Sequence, residues 1–428
     1  MLESLSKALQ IPELRRRIMF NLSMFAVFAL GVHIPLGGID HDKLEAIFGQ
    51  GGLLGLVDVF SGGALGRMAI FAMGITPYIN ASIIMQMLTL AIPHLEALSK
   101  EGEAGRKQIA RITRYLTIFL AAVQAIGFSV TFRDAATTWF STVQMVVILT
   151  AGTCFLLWIG EQMTEKGIGN GVSLVIFAGI MISLPYQTGL VWEMVQTGIV
   201  RPLGLLVLVA LFLGTIYGIV MITQGERRIP IQHAKRVVGM RMVQAGSSFL
   251  PIKVNTAGVI PIIFAISMLL FPAQLLNAFG PREGFVGTLQ TWANYLAPGS
   301  HWFSLVIYAG MIVLFTYFYT AVVMNVQDMA DNLKKYGNLI PGIRPGKPTF
   351  DYLDRVVSRV TLAGAVFLAS VALVQYVAQP LTGVPIASFQ LIGGTSLLIV
   401  VGVAIETMKA IEAQLLMRNY EGFIKQAR

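Results

Sequence analysis

The chain has 428 residues, of which 55% are hydrophobic and 12% charged, with a mean hydropathy of +0.71 and a formal net charge of +9. These values exclude a water-soluble domain and make the placement of lysine and arginine about a membrane, rather than nucleic-acid binding, the meaning of the basic charge. Cys154 is the only cysteine, so no intramolecular disulfide forms, and within an apolar span it serves as a small hydrophobe. The first residues, "MLESLSKALQIPELRRR", carry two glutamates and run into a full span without a small-residue cleavage site. They read as a short amphipathic helix lying on the membrane, not a cleaved signal. Ten apolar segments follow, near 18–36, 70–92, 114–132, 139–159, 169–184, 202–223, 258–276, 302–325, 357–377 and 391–408. Segments of about 20 residues suffice to cross a hydrocarbon core as helices. Stretches such as "SLLIVVGVAI" are apolar on every side, which excludes the alternating pattern of a β-barrel.

Between the first two spans the run "FSGGALGRMAIFAMGITPYINASIIMQML", residues 60–88, is interrupted by glycines, Arg67 and Pro77. With a cytosolic N-terminus, 26 of the 31 lysines and arginines fall on cytosolic segments; Lys43, Arg67, Arg133, Arg201 and Arg282 fall outside. This division predicts both termini in the cytosol and an even number of spans. Two cytosolic loops are long, about 224–257 and about 326–356. Their Pro/Gly turns and the apolar Ile229, Ile231, Leu339 and Ile340 predict structured protrusions with buried side chains. Ten spans divide into five and five, residues 1–184 and 185–428, and an odd number per half inverts the second relative to the first around a central axis.

Little in the sequence points to chemistry. His33, His41, His94, His233 and His301 are scattered, with no HExxH or Cys/His cluster for a metal. "GNLIPGIRPGKPT" lacks the Lys-Ser/Thr ending of a phosphate loop, since Pro348 follows Lys347. The spans are nearly free of charge, with Glu161 and Glu406 read as solvated groups at cytosolic span ends. An ion-coupled transporter places ionisable residues in mid-span, so the energy for this protein is expected to come from outside it.

Six motifs, "FSGGALGRMAIFAMGITPYINASIIMQML", "EGEAGRKQIARITRY", "GEQMTEKGIGNGVSLVIFAGI", "KVNTAGVIPIIFA", "ADNLKKYGNLIPGIRPG" and "GGTSLLIVVGVAIE", occur in this order, and from about residue 12 onward the chain resembles the SecY/Sec61 family of protein-conducting channels. The resemblance implies an all-α integral membrane protein of ten transmembrane helices, built as two inverted five-helix halves around a central pore. It implies a non-enzymatic channel that passes unfolded secretory polypeptides across the bacterial plasma (inner) membrane and releases hydrophobic helices sideways into lipid. A secondary transporter of a small solute is the other reading.

By the same resemblance, a re-entrant plug helix spans about 53–66, with Leu53, Leu54, Val57, Val59, Phe60, Ser61, Gly62, Gly63 and Leu65, and span two starts near Met68. Ile75, Ile79 and Ile83 recur at four-residue spacing on one helical face, from which alone ordinary packing is the first reading. The resemblance instead implies a constriction ring of Ile75, Ile79, Ile176, Ile263 and Ile399. It implies a lateral gate between spans two and three on one side and seven and eight on the other, carrying Asn80, Gln124 and Asn255. Arg227, Arg228, Lys235, Arg236, Arg241, Arg344 and Lys347 are implied to dock a motor or ribosome; Met240 stands where relatives are often basic. The implied partners are SecE and SecG subunits, the SecA ATPase motor, the ribosome, unfolded preproteins, signal sequences and membrane lipid, with no cofactor, metal or small-molecule substrate.

Overall fold

The computed structural model describes residues 2–40, 44, 58, 61–135, 138–198, 200–233, 236–238, 241–243, 247–277, 284–383 and 394–426. Helices dominate: α1 (Leu2–Gln10), α2 (Pro12–His33), α3 (Thr76–Ala91), α4 (Pro93–Lys100), α5 (Glu103–Thr131), α6 (Trp139–Lys166) and α7 (Gly171–Gln196) come first. After α8 (Pro202–Gln224) come strands β1 (Glu226–His233), β2 (Arg236–Val238), β3 (Arg241–Val243) and β4 (Ser247–Lys253). Then follow α9 (Ile260–Asn277), α10 (Phe285–Leu296), α11 (Trp302–Val323), α12 (Val326–Lys335), β5 (Asn338–Leu339), α13 (Lys347–Thr382) and α14 (Thr395–Gln426).

Each of the ten apolar segments overlaps a helix, and among the described residues six helices are by themselves long and apolar enough to cross a membrane. α3 and α4 make a further candidate, bent by 100° at Ile92–Pro93. Helices with apolar side chains on every side suit lipid, because each backbone N–H and C=O is paired within its own segment.

Several boundaries differ from expectation. α3 starts at Thr76, not near Met68, because Gly74 takes a positive φ of 55° and Pro77, which has no N–H, sits in its first turn. α7 continues through Pro185 to Gln196, so the division at 184/185 falls inside a helix and the nearest break is the connector 197–201. Pro185 has no N–H to give the Met181 carbonyl four residues back, a loss that membrane helices tolerate by local adjustment. α1 packs on α2 and α14 through Ala8, Leu14 and Ile411, so part of its apolar face covers protein instead of membrane. Glu161 is paired rather than simply solvated: Arg114 reaches from α5 to its Oε1 with Nε at 3.0 Å and a terminal nitrogen at 2.7 Å. Glu406 lies at the surface of α14.

The described residues of the two long loops meet in a single platform that contains β-structure. β1 pairs antiparallel with β4 and, on its other edge, with β5, giving the order β4-β1-β5, while β2 and β3 form a separate ribbon. Alternation along β1 turns Ile229 and Ile231 to one face. Both are buried, and Ile229 packs in a cluster with Ile252, Ala330, Ile340, Leu353 and Val357. Leu339, expected to be buried, is 42% exposed. It lies on the two-residue edge strand, where one side chain faces inward and the next faces water.

Candidate functional site

The segment that follows α2 does not cross as a helix. Residues 62–75 form consecutive turns that hydrogen-bond back to the end of α2, with the Leu36 N–H donating to the Met68 carbonyl at 2.9 Å and the Ile70 N–H to that of Ile34 at 3.1 Å. Ala64, Leu65, Met68 and Ala69 are completely buried, so this irregular backbone is packed within protein. A Cβ on Gly62, whose φ is 76°, would stand 3.0 Å from the Gly179 carbonyl oxygen of α7. Only glycine offers both that left-handed conformation and that close approach. Gly63 shares the left-handed conformation, with a φ of 80°.

Of the expected plug residues, Ser61, Gly62, Gly63 and Leu65 are described, whereas Leu53, Leu54, Val57, Val59 and Phe60 lie outside the described residues. The turn is organised by Asp58, a residue that sequence reasoning missed. Its Oδ1 accepts from the Gly66 N–H at 2.7 Å, and its backbone carbonyl accepts from the Gly63 N–H and the Ser61 hydroxyl, both at 2.9 Å. Burial pushes the Asp58 carboxyl up from its usual pKa, against the lowering effect of the Gly66, Leu65 and Ser61 hydrogen bonds and the charge of Arg67. The available signal was an Asp three residues ahead of Ser-Gly-Gly, a pattern of side-chain-stabilised turns.

The five ring isoleucines come from four places in the chain. Ile75 and Ile79 sit at the start of α3, Ile176 in α7, Ile263 in α9 and Ile399 in α14. All five belong to one apolar cluster, with Ile75, Ile176 and Ile399 buried in it and Ile79 and Ile263 packed against it half-buried. Phe28 and Val32 of α2, Ala64, Ala69 and Phe71 of the 62–75 segment and Leu156, Ile159 and Met163 of α6 belong to the same cluster, so that segment and the five isoleucines share one packing unit. A cluster of branched hydrocarbon offers no ligand to an ion and excludes water.

Beside it, α9 packs on both α3 and α5. Asn80 of α3, Gln124 of α5 and Asn255 in the turn before α9 are all buried. Gln124 Nε2 and Asn255 Oδ1 find no hydrogen-bond partner among the described residues. Asn80 also lines an open crevice of about 290 Å³ between α3 and α9, together with Ile83, Met87, Ser267, Met268 and Phe271.

On the platform, Arg227 and Arg228 of β1, Arg344 in the turn before α13 and Lys347 at the start of α13 are exposed. Arg228 pairs with Glu226 at 2.7 Å. Arg236 and Arg241 lie on the β2–β3 ribbon, and Lys235 and Met240 lie outside the described residues. The Arg344 turn is held from behind: the Thr349 hydroxyl donates to the Arg344 carbonyl at 2.8 Å, and Ile340 and Ile343 pack into the platform core.

The family model described as SecY matches residues 69–408. The protein translocase subunit SecY of Streptomyces galbus is 42% identical over 451 residues, covering 99% of this chain and 100% of that protein. A solved structure concerned with the plug domain of SecY stabilising the closed translocation channel aligns with a TM-score of 0.66 at 19% identity, over 93% of this chain and 92% of that one. Sec61 in the canine ribosome–channel complex of the endoplasmic reticulum aligns with a TM-score of 0.63 at 16% identity, with the same coverage. The full-length identity, a family match over residues 69–408 that contains all five of these isoleucines, and a common fold lead to one conclusion: this chain belongs to the SecY family.

Proposed function

We propose that the protein is a passive protein-conducting channel, which passes unfolded polypeptide through the centre of the helix bundle and releases apolar helices sideways into lipid. The observation that carries this reading is the convergence of Ile75, Ile79, Ile176, Ile263 and Ile399 with the re-entrant segment in one apolar cluster. Such a constriction resists ion leakage when closed, yet its side chains move by rotamer changes around whatever chain passes. In this reading ten helices cross the membrane as two inverted halves, with both termini in the cytosol of a bacterial inner membrane. The 62–75 segment and the preceding plug sit over the ring from the outer side.

The contact between α9 and the α3–α5 pair is the lateral gate. Its lipid exit follows the crevice between α3 and α9, whose walls are almost wholly apolar. Directed movement then comes from a partner. The joined β1–β4–β5 platform, with Arg227, Arg228, Arg344 and Lys347 exposed, is the docking surface for a SecA-type motor or a ribosome, and SecE- and SecG-type subunits complete the membrane complex. The test is reconstitution with these partners in vesicles. Protease protection of a presecretory protein, without uptake of small solutes, is the expected result; solute uptake without protection would make the chain a transporter instead.

A further inference from the structure

The outer connection between α9 and α11 contains α10, twelve residues without a single charge, FVGTLQTWANYL. At about 100° per residue its side chains divide into three faces. One faces the protein: Gln290 and Ala293 are buried, and Gln290 Nε2 donates to the Leu276 carbonyl at 2.7 Å. That carbonyl is among the last four of α9, which have no partner within their own helix. A second face carries Phe285, Leu289 and Trp292, at i, i+4 and i+7, exposed by 79%, 39% and 64%. The third carries the exposed polar Thr288, Thr291 and Asn294.

None of the described residues covers the second face, which continues an apolar surface whose surroundings are set by its composition. α11 begins at Trp302, and Trp302, Phe303 and Val306 are exposed on a helix apolar enough to cross a membrane. The Tyr295 ring meets the His301 ring edge-on at 4.8 Å, joining the end of α10 to the start of α11. At the corresponding outer end of α6, Trp139 and Phe140 are likewise exposed. Aromatic side chains gathered at span ends mark the membrane–water interface, where an apolar ring and a polar neighbour are both satisfied.

We propose that α10 is an interfacial anchor: it lies along the outer surface of the bilayer with Phe285, Leu289 and Trp292 among the acyl chains and Thr288, Thr291 and Asn294 toward headgroup water. The occupant of the apolar face is lipid, and because the helix is uncharged the headgroup's charge is not what it recognises. Through Gln290 the anchor sets the depth at which the outer end of α9, a wall of the gate crevice, is held. The assignment to the outer surface rests on the orientation proposed above; the partition of faces does not.

The test uses the full chain in phosphatidylcholine–phosphatidylglycerol vesicles, in a Cys154→Ser background, with spin labels at Leu289→Cys, Trp292→Cys, Thr288→Cys and Thr291→Cys. Collisions with oxygen, which concentrates in lipid, are compared with collisions with a water-soluble nickel chelate. Oxygen is expected to dominate at 289 and 292 and the chelate at 288 and 291, a reversal of sign around one helix. Chelate dominance at all four positions would place α10 in water, open to a soluble protein partner, and oxygen dominance at all four would bury it in the bilayer; either overturns the proposal. Quenching by brominated lipid provides a measurement that needs no cysteine variant. It is expected to fall in Trp292→Phe relative to the unaltered chain, and equal quenching counts against lipid contact. Neither readout involves translocation, so an inactive channel leaves the result interpretable.

Discussion

Replacing Ile176 and Ile399 together by asparagine tests the constriction most directly, because they come from α7 and α14 and are only 5% and 1% exposed. Fully burying an isoleucine contributes about 1.5–3 kcal/mol, and an amide left without a partner costs about 1–3 kcal/mol on mutational scales. Each substitution therefore removes about 2 kcal/mol or more from the closed arrangement, whereas a hydrated open pore bears little of that cost. Every 1.4 kcal/mol shifts such an equilibrium about tenfold. Since both side chains belong to one cluster, their effects do not simply add, and a rise in resting conductance of about 10- to 100-fold is expected. The assay is planar-bilayer conductance of purified channels at matched protein amounts. Leu90→Asn on α3 and Met181→Asn on α7 are controls at exposed positions, where a polar group meets hydrocarbon; they are expected to lower insertion or stability without adding leakage. Double ring variants no leakier than wild type, with controls behaving as stated, would return these isoleucines to ordinary core packing.

Gly62→Ala places a Cβ 3.0 Å from the Gly179 carbonyl oxygen at a φ of 76°, and the left-handed conformation alone costs a non-glycine residue about 1–2 kcal/mol. Resting ion leakage is expected to rise several-fold, while Gly63→Ala, which meets no atom within 4 Å, retains the backbone strain alone and leaks less. Covalently tying α3 to the turn before α9, near Asn80 and Asn255 in a Cys154→Ser background, is expected to block translocation; undiminished export through a demonstrably cross-linked channel would remove the gate from this contact. Arg344→Glu is expected to abolish motor-driven export and stimulation of the motor's ATPase at wild-type channel levels, because Thr349, Ile340 and Ile343 keep the turn in place behind the exposed side chain. Normal values for both would reduce Arg344 to a topology charge.

Much of the molecule could be read residue by residue. Transfer from water to hydrocarbon is a property of each side chain and sums along a window, so the ten apolar segments and the uneven division of lysine and arginine were visible without any contact. The ring positions were legible only through the resemblance to a channel family. Spacing related Ile75 and Ile79 to Ile83, which packs in a different cluster, and to nothing on other helices; the gathering of Ile176, Ile263 and Ile399 depends on where three other helices pack.

What the tertiary structure decided are the features whose causes lie far apart in the sequence. The late start of α3 follows from residues 62–75 bonding back to α2 and burying Leu65, Met68 and Ala69, a gain no hydropathy window contains. Glu161 finds Arg114 from 47 residues away, β5 joins β1 from about a hundred residues downstream, and Leu339 faces water because its strand lies at a sheet edge. Composition determined that these helices enter a membrane. Which carbonyl, cation or methyl group each one meets there depended on long-range packing, where the free energy belongs to pairs of residues and not to either one alone.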